Sequence, residues 1–212
     1  MKIAIIGAGW MGSHISYILN KKGCDIKIFE SANKIFSGMS GYNTNRLHMG
    51  YHYPRSLITR KQSFNGYKNF IKFYPGLYKK ITNNYIAIAN KGTRVNFKDY
   101  KKIMLSSGLK IYNTNKLKSK IQNVDGVIKT KEGLILYEKA ANFFYKKLKK
   151  FLILKKNPKN FIVKKKKIIL DNQEYDWVID CSASHWRKNN IFNISFEPRV
   201  TFVYKSKIKN FA

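Results

Sequence analysis

The first thirty residues constrain the fold more than any other part of the chain. Lys2 to Ile6 is a short apolar run suited to a strand covered on both faces. It passes directly into Gly7-Ala8-Gly9-Trp10-Met11-Gly12, a G-x-G-x-x-G sequence. Ser13 to Lys22 reads as a helix with Ile15, Ile18 and Leu19 as its apolar stripe, and Gly23 stands where a helix end favours a left-handed residue. Asp25 to Phe29 reads as a second strand, closed by Glu30. Gly7 permits the tight turn, Gly9 lets backbone approach a pyrophosphate, and Gly12 lets helix and strand pack closely. The helix N-terminus offers free N–H groups and the positive end of a dipole to phosphate.

A lone G-x-G-x-x-G says little. Here it follows a strand, opens a helix, and is answered by an acid 18 residues after Gly12 at the tip of the next strand. Glu30 would accept hydrogen bonds from ribose hydroxyls and repel a 2′-phosphate, which favours FAD or NAD over NADP. The competing reading is a glycine-rich turn in a Rossmann-like domain that binds no dinucleotide, and the complete context argues against it.

Charge is the feature that could point elsewhere. The 212 residues hold 42 Lys and Arg against 11 Asp and Glu, a formal net charge of +31. Lys outnumbers Arg 36 to 6, whereas a phosphate-gripping surface leans on the planar Arg fork. The Lys, Asn and Ile bias is what AT-rich codons produce. Residues 1–60 carry 8 basic and 2 acidic groups, so most of the excess lies in the later chain. The run Lys164-Lys165-Lys166-Lys167 reads as a solvated hairpin turn. No zinc-finger, RRM or helix-turn-helix signature accompanies the charge, so no specific nucleic-acid partner is expected. Hydrophobic residues at 44% exclude a disordered polymer. Cys24 and Cys181 make neither a CxxC pair nor a zinc site, and no metal is expected. No stretch approaches the roughly 18–20 apolar residues of a membrane span, and the N-terminus reaches Gly7 too soon for a signal peptide. A cytoplasmic setting is the expectation.

The segment from Ser37 to Ser56 separates FAD from NAD. An NAD-binding Rossmann domain would normally pass from the second strand to another crossover helix. This stretch is instead long, polar and glycine-punctuated, with side chains able to line a flavin's ribityl chain and ring edges. Ser40-Gly41-Tyr42-Asn43-Thr44 followed by His48-Met49-Gly50 resembles the D-amino-acid-oxidase-like family of FAD-dependent oxidoreductases, and most of all its 2-hydroxyglutarate dehydrogenase/oxidase branch. Lys131 to Leu136 before a helix at Tyr137–Phe151 is similar to the family's segment leading from the substrate sheet back to the FAD domain. Tyr175 to Trp186 is similar to its strand and turn near the flavin, although the turn reads Cys-Ser-Ala-Ser without the usual glycine. Glu197-Pro198-Arg199-Val200 resembles the stretch re-entering the substrate sheet.

The resemblance implies an α/β chain in which a Rossmann-like FAD-binding domain (1–50 and 137–187) is interleaved with a partial α+β substrate domain (51–136 and 195–212). Further elements expected are helices over Ser56–Phe73 and Phe97–Ser107 and strands over Tyr85–Ala89, Leu109–Tyr112 and Val124–Leu136. A hairpin is expected over Asn157–Leu170, and Phe143, Phe144, Leu148 and Phe151 form the buried face of the helix bearing Lys146, Lys147, Lys149 and Lys150. FAD would contact Gly7, Ala8, Gly9, Trp10, Met11, Gly12, Glu30, Ser31, Ser40, Asn43, Thr44, Arg46 and His48. His48 is the catalytic candidate, orienting the flavin or taking a proton from a hydroxyl or amine. His52, Tyr53 and Arg55 would line the substrate mouth, with Arg55 or Arg199 forking a carboxylate. The implied reaction is oxidation of an amino acid or 2-hydroxy acid by hydride transfer from Cα to flavin. Family members run longer, so the chain is expected to be an N-terminal part, its missing half supplied by a separate chain if at all. The alternatives are an NAD-dependent dehydrogenase and a non-catalytic basic module that binds nucleic acid or anionic membrane.

Overall fold

A computed structural model describes residues 1–114, 121–164 and 167–183. The elements are β1 (Lys2–Ile6), α1 (Trp10–Lys21), β2 (Asp25–Phe29), α2 (Met39–Tyr42), β3 (Arg46–Leu47) and α3 (Leu57–Phe73). Then come β4 (Tyr78–Ala89), α4 (Phe97–Ser106), β5 (Tyr112–Asn113), β6 (Val124–Ile135) and α5 (Tyr137–Leu148). The last are β7 (Leu152–Ile153), β8 (Phe161–Lys164), β9 (Lys167–Leu170), β10 (Gln173–Tyr175) and β11 (Trp177–Asp180). The described residues form two compact units, Met1–Thr44 with 137–183, and 45–136.

In the first unit a parallel sheet runs β11-β1-β2-β7. Ile5 pairs with Ile28 on one side and Ile179 on the other. The β1-α1-β2 crossover leads one way from β1 and β11 lies the other way, so strand order reverses at the carboxyl end of β1, where α/β sheets bind ligands. Ile3, Ala4, Ile5 and Ile6 are all buried, as a strand covered on both faces requires. Each buried isoleucine contributes about 1.5–3 kcal/mol. One cluster joins Ala4, Ile6 and Phe29 to Leu170 and Tyr175 from the antiparallel sheet β10-β9-β8. Trp10, Phe36 and Phe144 make a second contact set, with Trp10 edge-on to both partners at 5.5 Å between centroids.

The buried face of α1 is not the apolar stripe that its sequence suggests. Gly12, Ser13 and Ser16 are buried, while Ile15, Ile18 and Leu19 are only half-buried. The helix lies so close to the preceding turn that small residues fit there and branched ones do not. Gly23 does end the helix at φ +77°, its N–H bonded to the Asn20 carbonyl at 3.0 Å. The helix expected over Tyr137–Phe151 stops at Leu148 and passes into a 3₁₀ turn over Lys149–Phe151. Ala140, Phe144 and Leu148 form its buried face, Phe143 and Phe151 are half-buried, and Lys146, Lys147, Lys149 and Lys150 are exposed. The hairpin is β8–β9, with Lys164 paired opposite Lys167.

The second unit is built on β6, which pairs antiparallel along its length with β4 and on its other edge with β3 and β5. Tyr51, Tyr100, Met104, Leu109 and Ile128 form its core. Ser56 caps α3 by accepting the Thr59 N–H at 3.2 Å, and Asn96 caps α4 through the Asp99 N–H at 2.8 Å. Strand β4 begins seven residues before the expected Tyr85, because its first half is polar and a register shift between Ile81 and Asn84 breaks the alternation. The strand expected over Leu109–Tyr112 is instead the two-residue β5, since Leu109 turns into the core. Among the described residues no helix is long and apolar enough to cross a membrane.

Candidate functional site

The glycine loop sits at the carboxyl end of β1. Gly7 has φ +96°, and a Cβ there would lie 2.9 Å from the Cys181 carbonyl oxygen of the strand beside it. Gly12 is tighter: its Cβ would fall 1.9 Å from the Gly7 carbonyl oxygen. The α1 N-terminus has Gly9 as a bare cap, with no side-chain hydrogen bond and no acid in the first turn. It therefore presents a positive end to an anion. Ser40, at the start of α2, accepts the Trp10 N–H at 2.8 Å. Glu30 is held against the loop: one carboxylate oxygen accepts the Ala8 N–H at 2.8 Å, the other the Ala32 N–H at 2.9 Å and the Ser31 hydroxyl at 3.3 Å. A carboxylate oxygen has two acceptor positions, so Glu30 can still take a ribose hydroxyl. A turned Gly7, a helix end with no acid in its first turn and a pinned acid fit a dinucleotide's pyrophosphate and ribose. Met11, Ser31, Asn43 and Thr44 are exposed.

The turn after β11 has no glycine, and the backbone shows the consequence. Ala183 takes φ +55°, a left-handed conformation unfavourable for a residue with a Cβ. Ala183→Gly is expected to raise stability by about 0.5–1 kcal/mol, measured as a higher urea midpoint. An unchanged or lower midpoint would rule out strain at this turn.

Arg46 and His48, expected with the cofactor loop, belong to the second unit. There β3 leads into His48, and β6 carries Glu132 on the inward face that also holds Ile128 and Thr130. Glu132 is 1% exposed. Its carboxylate accepts the Met49 N–H at 3.1 Å and an Asn84 amide N–H at 3.3 Å. Nδ1 of His48 lies 3.4 Å from both carboxylate oxygens, and Nε2 of His52 lies 3.7 Å from Oε2. Burial pushes the Glu132 carboxyl up, but the polar contacts with His48, His52 and Met49 outweigh it and hold the group at about 2. Burial, with the Glu132 charge second, pushes Tyr51 up to about 12 and raises Tyr100 as well. Arg46 donates to the Asn84 side-chain oxygen at 3.1 Å, so it supports the residue that supports Glu132.

Tyr53 and Arg55 are exposed, and Arg55 lines a cavity of about 390 Å³ with Tyr51, His52, Ile86, Arg94 and Tyr100. Arg199, and the stretches Ser184 to Trp186 and Glu197 to Val200, lie outside the described residues. Sequence reasoning assigned no role to Glu132 or Asn84. The available signal was scarcity: Glu132 is one of 11 acids in a strongly basic chain, and it occupies an inward strand position.

The family model described as an NAD(P)-binding Rossmann-like domain matches residues 5–72. The FAD-dependent monooxygenase FPY4 of Fusarium mangiferae is 33% identical over 184 residues, covering 87% of this chain and 50% of that protein. Among solved structures, the L-alpha-glycerophosphate oxidase of Mycoplasma pneumoniae with FAD bound superimposes with a TM-score of 0.67 at 16% identity, covering 84% of this chain and 52% of that one. The glycine oxidase of Geobacillus kaustophilus gives 0.64 at 14% identity, covering 85% and 54%. The chain thus spans about half the length of these proteins. The parallel sheet and the glycine loop of the first unit form a Rossmann-like α/β fold, and the chain shares its fold with these solved structures.

Proposed function

We propose that the chain binds FAD through its first unit and takes part in oxidising an amino acid or 2-hydroxy acid, the Cα hydrogen leaving as hydride. The observation that carries this reading is the Glu30 carboxylate fixed at 2.8 Å on the Ala8 N–H, beside a helix N-terminus whose Gly9 cap has no side chain to close it. The backbone at Gly7–Gly12 would hold the pyrophosphate, Glu30 the adenosine ribose, and Ser40, Asn43 and Thr44 the remaining polar edge. FAD, when bound, supplies the two-electron acceptor. His48 belongs to the substrate side, with Tyr53 and Arg55 near the carboxylate. The 2-hydroxyglutarate-like branch is favoured by the Ser40–Thr44 and His48–Gly50 pattern.

The test is cofactor retention. Protein refolded with FAD should carry the visible flavin bands and quench flavin fluorescence, and it should prefer FAD to NAD. Gly9→Val should abolish FAD binding while circular dichroism stays native, because the nearest obstacle to a Cβ there is the Ser40 side chain at 3.0 Å, which can rotate away. Retention of FAD by this variant would sink the reading. Likeness to the FPY4 monooxygenase favours a second reading, oxygen insertion. Incorporation of labelled oxygen into product would identify it.

A further inference from the structure

The separations around Glu132 are long for hydrogen bonds. Good N–H···O contacts fall at about 2.7–3.2 Å, yet His48 stands equidistant from both carboxylate oxygens at 3.4 Å and His52 at 3.7 Å. A tetrahedral ion with nitrogen and oxygen ligands at about 2.0–2.1 Å sets neighbouring ligand atoms about 3.3–3.5 Å apart. One ligand atom from each of His48, His52 and Glu132 lies within 4.8 Å of the others. The geometry points to a divalent-cation site of the Zn²⁺ class, with His48, His52 and Glu132 as ligands and a fourth position open to an oxygen donor such as water, hydroxyl or carboxylate.

Three further observations support a cation there. Glu132 is held on both oxygens, by the Met49 N–H and the Asn84 amide, in the way that outer hydrogen bonds orient a ligating carboxylate. Asn84 is itself fixed by Arg46 and Thr130. Among the described residues, the ion-pairing groups found on this buried carboxylate are the two imidazoles and no Lys or Arg. The two histidines are 31% and 49% exposed in their side chains, so the open side of the set faces an entry path, as an exchangeable fourth position requires. Two imidazoles and one carboxylate suit Zn²⁺ and its first-row neighbours better than Mg²⁺ or Ca²⁺. The +31 charge opposes indiscriminate cation uptake, so binding at this point would be a property of the site.

This inference does not depend on the flavin reading, since all three ligands lie in the second unit. The test uses the full chain, stripped with chelator and titrated with Zn²⁺ against a chromophoric competitor. One equivalent should bind, and Co²⁺ in its place should give the intense visible bands of a tetrahedral ion. His52→Ala, a change at a side chain 49% exposed, should weaken uptake at least about 100-fold. Asn84→Ala should weaken it about 10–100-fold by freeing Glu132. Uptake undiminished in His52→Ala, or none at equimolar Zn²⁺, overturns the site. Flavin absorbance recorded on the same samples reports separately on the first unit.

Discussion

Gly12→Ala is expected to cost at least about 3 kcal/mol and to abolish FAD binding. The added methyl would sit 1.9 Å from the Gly7 carbonyl oxygen, 3.1 Å from its carbon and 3.4 Å from the Cys181 Cβ. Overpacking usually costs about 1–3 kcal/mol because side chains can give way. Here the obstacle is backbone, and that backbone is tied: the Gly7 N–H donates to the Phe29 carbonyl at 2.7 Å, and the Cys181 N–H to the Ile6 carbonyl at 2.8 Å. Moving Gly7 therefore disturbs three neighbouring strands together. Urea unfolding with flavin absorbance checks both parts of the expectation. Gly23→Ala is the control, since nothing lies within 4 Å of its Cβ position and only the φ of +77° opposes it, at about 1 kcal/mol. Equal losses at the two glycines would refute the close-packing account.

Arg60→Ala should be nearly as damaging in the second unit. Arg60 lies on α3 at 6% exposure, and its guanidinium donates to the carbonyls of Tyr53 and Pro54 at 2.8 Å each and to the Ser107 hydroxyl at 2.7 Å. One planar fork thus joins α3, the end of α4 and the turn that follows His52. Truncation leaves two carbonyls and a hydroxyl without their charged donor, a loss of about 3 kcal/mol. Arg60→Lys keeps the charge but reaches fewer of the three acceptors, so an intermediate loss of about 1–2 kcal/mol is expected. Thermal unfolding measures both, and hydrogen exchange over residues 51–56 should rise in step. A Lys variant as damaged as the Ala variant would show that charge alone contributes little.

Local and non-local information divide the legible from the illegible. The β1–glycine loop–α1–β2 unit could be read because every signal in it falls within thirty residues. The turn, the helix start and the answering Glu30 each confirm the others. The inner face of α1 could not be read, since hydrophobicity picks out Ile15, Ile18 and Leu19 whereas proximity to backbone selects Gly12, Ser13 and Ser16. In β4 a register shift hid the first half of the strand from any search for alternation. Glu132 was hidden differently. Its meaning depends on His48 and His52, eighty or more positions earlier, and on Asn84 across the β4–β6 ladder, none of which spacing along the chain reveals.

The pairing of β1 with β11 sets an order of events during synthesis. Ile3 finds its partner Trp177 only after all of residues 45–136 have been made. At roughly 5–20 residues per second, that delay is on the order of ten seconds. The ladder β4–β6 and its caps are complete well before then, so the inserted unit can mature while the host sheet still lacks an edge. The nascent chain therefore holds β1 and β2 without the β11 edge for that interval. Premature release before Trp177 would leave β1 as an unpaired edge of the parallel sheet.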